Sequence, residues 1–107
     1  MNEKEHLTMN EKEHFAGSCE IVNFSGETVI VMYYVLEAMQ KEGRIFGVKL
    51  CSKSNVDTES IHFYLTESYE HIDFIVNYLI KYEVTPVSLT EVIDELYDMY
   101  EFAPEGA

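Results

Sequence analysis

The sequence predicts an α+β fold: a small antiparallel β-sheet, made of a hairpin and a third strand, followed by two C-terminal α-helices packed on one face. Three observations predict it. Thr28-Val-Ile-Val-Met-Tyr-Tyr-Val-Leu36 carries no charge, Gly or Pro, and most of it is β-branched or aromatic, the types that pack well on a pleated surface. Two further β-rich runs follow it within 30 residues. After Ser68 the apolar period changes from two to between three and four, and Thr85-Pro86 divides that helical stretch in two. With 107 residues, the chain is long enough for one core without metal or disulfides.

The N-terminus opens on a duplication. Met1-Asn-Glu-Lys-Glu-His6 recurs as Met9-Asn-Glu-Lys-Glu-His14. Two copies do not make a solenoid, so residues 1–16 read as a flexible polar tail and residues 17–104 as a single α+β domain. Cys19 to Phe24 reads as a short strand, ended by Ser25-Gly26.

The central strand runs from Thr28 to about Met39. Both of its alternating sets are apolar: Val29, Val31, Tyr33 and Val35 on one side, Ile30, Met32, Tyr34 and Leu36 on the other. A strand of this kind calls for cover on both faces, and at nine residues the run is too short to cross a bilayer, which takes about 20. Lys41-Glu-Gly-Arg44 reads as a hairpin turn with Gly43 at positive φ. In the second strand, Ile45 to Cys51, Phe46, Val48 and Leu50 form an apolar set, whereas Gly47 and Lys49 make the other face mixed. A polar loop over 52–60 leads to the third strand, Ile61 to Leu65.

Ser68 is placed to cap a helix reaching about Glu83. Ile72, Ile75, Val76 and Leu79 form its core stripe, and Phe74 and Tyr78 lie off that stripe as candidate contacts for a partner. Ser88-Leu-Thr-Glu91 matches a capping box and Val87 with Val92 a hydrophobic staple, which predicts that the second helix starts at Ser88. Its apolar stripe is Leu89, Val92, Ile93, Leu96 and Tyr100; the opposite face carries Glu91, Asp94, Glu95, Asp98 and Glu101.

From Thr28 to Tyr100 the order of hairpin, third strand and two helices joined by Thr-Pro resembles a family of small uncharacterised proteins, a domain of unknown function found mainly in clostridia and related spore-forming bacteria. Phe46-Gly47 and Thr85-Pro86-Val-Ser-Leu89-Thr-Glu91-Val92-Ile93-Asp94-Glu95 carry the resemblance. It implies no activity and transfers no functional residue.

The net charge of −13 is concentrated in residues 67–107, which hold ten carboxylates and one lysine. Direct nucleic-acid binding is excluded by the lack of any patch able to neutralise phosphates, and anionic membrane surfaces are disfavoured on the same ground. The charged N-terminus has no apolar segment of a secretory signal, and Cys19 and Cys51 form no CxxC, which points to a cytoplasmic protein with reduced thiols. No nucleophile elbow or Gly-rich phosphate loop occurs, and no cofactor or metal is implied.

The chain therefore reads as a non-enzymatic, acidic protein–protein interaction module of regulatory or adaptor kind, with a basic protein or a second copy of itself as partner. Asp94, Glu95, Asp98 and Glu101 form one candidate contact surface; Tyr33 or Tyr34, with Phe74 and Tyr78, form the other. A second reading is a DNA mimic occupying the basic cleft of a nucleic-acid enzyme. A third is a small thiol or metal enzyme, which would need a titratable Cys51, apposed to His62 across strands two and three, or bound zinc.

Overall fold

The computed structural model describes residues 11–100, with side chains to Asp98. Its sheet is a four-stranded antiparallel meander in the order β1-β2-β3-β4, formed by β1 (Glu11–Val22), β2 (Thr28–Gln40), β3 (Gly43–Lys53) and β4 (Thr58–Thr66). Two helices follow, α1 (Tyr69–Lys81) and α2 (Leu89–Tyr100). The α+β architecture expected from the sequence is the one observed.

The first strand corrects the reading of the N-terminus. Residues 11–16 belong to β1 instead of a tail, and the strand ends at Val22 instead of Phe24. β1 pairs with β2 from Glu11↔Ala38 to Val22↔Thr28, with a bulge between Phe15 and Gly17. The cause lies in the partner: β2 is apolar on both faces and satisfies a full ladder of backbone bonds along its outer edge, so a polar segment with modest propensity is drawn into the sheet. The first copy of the duplication lies outside the described residues. β4 also starts earlier than expected, at Thr58, because Ser54 and Asp57 close a tight turn through the bond from Ser54 N–H to Asp57 O at 2.9 Å.

Pleating assigns the two faces. Cys19, Ile21, Val29, Val31, Tyr33, Val35, Phe46, Val48, Leu50, Ile61, Phe63 and Leu65 point to the helices and join Ile72, Ile75, Val76, Leu79, Leu89, Ile93 and Leu96 in one core. Gly47 lies under a β3–β4 irregularity, where a Cβ would run into the Phe63 carbonyl oxygen. Only glycine fits that close approach.

α1 begins where expected: the Ser68 hydroxyl accepts from His71 N–H at 3.2 Å. It ends in a Schellman turn. Glu83 stands at φ 53°, Glu83 N–H donates to Ile80 O at 3.1 Å, and Val84 N–H donates to Leu79 O at 3.0 Å. The Tyr33 hydroxyl then donates to Val84 O at 2.8 Å, pinning the helix linker to the middle of β2.

The capping box at Ser88 does not form. Pro86–Ser88 is a 3-10 turn with Thr85 before it, and Ser88 N–H donates to Thr85 O at 3.0 Å. Pro86, with φ fixed near the helical value, starts the coil two residues early, so Ser88 already lies inside it. Val87 is 84% exposed and staples nothing, whereas Leu89 is fully buried.

Candidate protein-interaction site

Among the described residues both helices lie on one side of the sheet, and the other face is uncovered by any element. Register places the side chains of that open face in rows across four strands. One row runs Phe15, Tyr34, Lys49, His62; the next runs Glu13, Leu36, Gly47, Tyr64; a third runs Ser18, Met32, Cys51, Ser60. The Phe15 and Tyr34 rings meet edge to face at 5.7 Å. Lys49 Nζ lies 5.6 Å from the Tyr34 ring centroid and 2.8 Å from Glu13 Oε2. Glu13 and Lys49 sit on the strands either side of β2, so their ion pair arches over β2 at Leu36 and Tyr34.

The titration of this face follows from that arrangement. Its bond to Glu13 raises the Lys49 ammonium above its ordinary pKa, against the opposing effect of burial. Burial first, and then the carboxylates of Glu11 and Glu13, push the Tyr64 phenol up. The field of those two carboxylates therefore reaches from β1 across the sheet to β4. The surface combines exposed apolar groups, Phe15 at 62% and Ile30 at 40% exposure, with an acidic margin on β1. Aromatic faces next to carboxylates suit cationic side chains, and Lys49 shows that contact within the chain itself.

The candidate residues read from the sequence separate. Tyr33 does not belong to a contact surface: it is fully buried, because the odd-numbered set of β2 faces the helices, and its hydroxyl is spent on Val84. Tyr34 is on the open face. Phe74 and Tyr78 line one side of α1 with Tyr82, their centroids 6.3 and 4.6 Å apart in sequence order, and Tyr78 packs partly against the core. Asp94, Glu95 and Asp98 are exposed on α2, far from the sheet face opposite; Glu101 lies outside the described residues. Phe15, Glu13 and Lys49 were not singled out from the sequence. The available signal was Phe15, an aromatic set two residues after Glu13 in the alternation of an otherwise polar run.

The chemistry proposed for a thiol enzyme is not assembled. Cys51 faces Ser60, whose hydroxyl is 3.6 Å from its sulfur, and His62 faces Lys49. Cys19 and Cys51 are free thiols on opposite faces of the sheet. Among the described residues no group of three or more His, Cys, Asp or Glu side chains is placed to hold a metal ion, and no helix is long and apolar enough to cross a membrane.

Comparison with known proteins returns one family model, described as a family of unknown function, which matches residues 12–99. That span takes in β1 as well as the part of the chain that carries the resemblance. No curated protein and no solved structure matches.

Proposed function

The chain belongs to the Family of unknown function (DUF6514), and from that footing we propose that it is a non-enzymatic protein-interaction module that receives a basic partner on the open face of its sheet. One observation carries the reading: a sheet covered by helices on one side only among the described residues, whose other side sets Phe15 and Tyr34 near the carboxylates of Glu11 and Glu13, and Ile30 opposite Glu20. Aromatic anchors with an acidic rim fit a partner bearing lysine or arginine. Pairing with a second copy is opposed by the charge of −13 that each chain carries. A regulatory or adaptor role follows from binding without chemistry.

Capture from native extract by the full chain, compared with two variants, tests the reading. Phe15→Ser with Tyr34→Ser removes the anchors, and the partner is expected to bind at least about tenfold more weakly, as for loss of an aromatic hot spot. Asp94→Asn with Glu95→Gln and Asp98→Asn is expected to alter only the association rate and salt dependence. If the first variant captures as well as the parent and the second does not, the contact is the acidic face of α2. Competition by duplex DNA would instead point to a DNA mimic, and a dimer by light scattering to a second copy.

A further inference from the structure

The helix-facing row of β2 ends in an anomaly. Val29, Val31, Tyr33 and Val35 all pack into the core, and an apolar residue at the next position would close the core beside Phe46. The residue is Glu37. Its side chain is only 18% exposed, and its carboxylate takes His14 Nε2 at 3.0 Å and Arg44 Nε at 3.3 Å. A half-buried carboxylate at the end of a core row costs desolvation, and here it orients two cationic or polar groups around an opening.

That opening is a groove of about 540 Å³ between this end of the sheet and the first half of α1, within the range of small-molecule sites, about 300–1,000 Å³. Val35, Phe46 and Val76 supply apolar lining. Tyr69 closes one side, its ring edge to face with Phe46 at 5.7 Å. Two charged side chains of opposite sign, Arg44 and Asp73, line the groove, Arg44 being already paired with Glu37. Arg44 meets Glu37 through Nε at 3.3 Å, and a guanidinium has five N–H donors in a fork that matches carboxylates, more than one such contact uses. Asp73, from α1, has no partner among the described residues although it lines the same groove.

We propose that this groove binds a small zwitterion with an apolar body: its carboxylate on Arg44, its ammonium on Asp73, and its side chain on Val35, Phe46 and Val76. A free apolar amino acid and a short apolar peptide share that chemistry. The groove opens toward α1, and Phe15, an anchor of the protein-binding face, also reaches its lining, so the variants used to test it leave Phe15 unchanged. Both charges are partly in water, with the Arg44 side chain 60% exposed, so the affinity is on the order of 1 mM.

Amide chemical shifts of the isotope-labelled full chain test the proposal, with four probes: L-phenylalanine, the dipeptide Phe-Ala, 3-phenylpropionate and 2-phenylethylamine. The first two are expected to shift Glu37, Val76 and Asn77 in a saturable way, and the better of them identifies the spacing that the groove accepts. The singly charged probes are expected to bind about tenfold more weakly, as for loss of one charged hydrogen bond. Arg44→Gln should remove the preference for L-phenylalanine over 2-phenylethylamine, and Asp73→Asn the preference over 3-phenylpropionate. Asp73→Asn removes no hydrogen bond or ion pair among the described residues, and urea unfolding of the variant checks that its stability is kept. Neither zwitterion moving those amides at about tenfold above the expected constant would overturn the proposal. Equal binding of all four probes, or unchanged binding by both variants, would do the same.

Discussion

Tyr33→Phe isolates a single hydroxyl that ties the helical layer to the sheet. Tyr33 is fully buried and Val84 is 7% exposed; the bond between the Tyr33 hydroxyl and Val84 O is 2.8 Å long. Phenylalanine keeps the ring and its packing, so no large cavity forms. The variant leaves a buried carbonyl unpaired, which costs about 1–3 kcal/mol. At about 4–8 °C per kcal/mol for a domain of this size, the melting temperature falls by roughly 4–24 °C. Urea unfolding followed by far-UV circular dichroism measures the cost directly, with an unchanged slope showing that the same surface is exposed on unfolding. Cys19→Ala serves as the comparison: its sulfur is 3.5 Å from the same hydroxyl, a weak contact, and its loss should matter less. A Tyr33→Phe variant within about 0.5 kcal/mol of the parent, where most surface substitutions fall, would refute the pin.

The same phenol sets a pH arm. Burial first, then Cys19 and Glu83, raise its pKa well above the ordinary 10.0. Above pH 10 the unfolded chain releases this proton while the folded chain keeps it, so the folded state binds more protons and stability falls as pH rises. Below pH 10 both states hold the proton and the group contributes no slope. The parent is therefore expected to lose stability above pH 10 more steeply than Tyr33→Phe, and the difference between the two should shrink with pH. Parallel profiles would show that the phenol titrates equally in both states.

Two backbone sites give predictions of opposite sign. Glu83→Gly should stabilise the chain by about 0.5–1 kcal/mol, since a left-handed residue costs roughly 1–2 kcal/mol and glycine returns part of that as lost chain entropy; a lower urea midpoint would contradict the Schellman turn seen at φ 53°. Gly47→Ala should destabilise by about 1–3 kcal/mol or more, because the added Cβ meets the backbone carbonyl of Phe63 and not a movable side chain; an unchanged midpoint would mean that the β3–β4 irregularity can relax.

Where periodicity and burial coincide, the fold was legible. The stripe Ile72, Ile75, Val76 and Leu79 is the buried face of α1, and the mixed residues of β3, Gly47 and Lys49, lie on the open side although β3 itself is internal. Signals resting on a few local residues were less secure. Ser88 and Glu91 satisfy a capping pattern, yet Pro86 just upstream sets the backbone first and moves the start of the coil. β1 was illegible over residues 11–16 because its stability resides in the ladder offered by β2, a long-range partner invisible to local pattern. The candidate site suffers from the same cause: Glu13 and Lys49 are 36 positions apart, and only register brings them together.

The two apolar faces of β2 bear most directly on what kind of partner fits. Two such faces read as a demand for a second covering layer, and the open face meets part of that demand from its own sheet. Leu36 is 4% exposed although no helix among the described residues lies over it, and the stems of Glu13 and Lys49 cross β2 at that level, as long polar side chains can when their charges pair above apolar surface. What stays exposed is a strip along β1 and β2, with Phe15 at 62%, Ile30 at 40% and Val22 at 66%. A strip of that shape suits an extended or helical segment better than a broad second sheet. Its acidic margin at Glu11 and Glu13 lies on the outer strand, so a basic segment docked along β1 would meet apolar anchors on one side and carboxylates on the other. That geometry predicts which charge reversal matters most. Glu13→Lys both breaks the bond to Lys49 and inverts the margin, whereas Glu95→Lys on α2 leaves the strip untouched; only the first should abolish a salt-sensitive complex formed on this face.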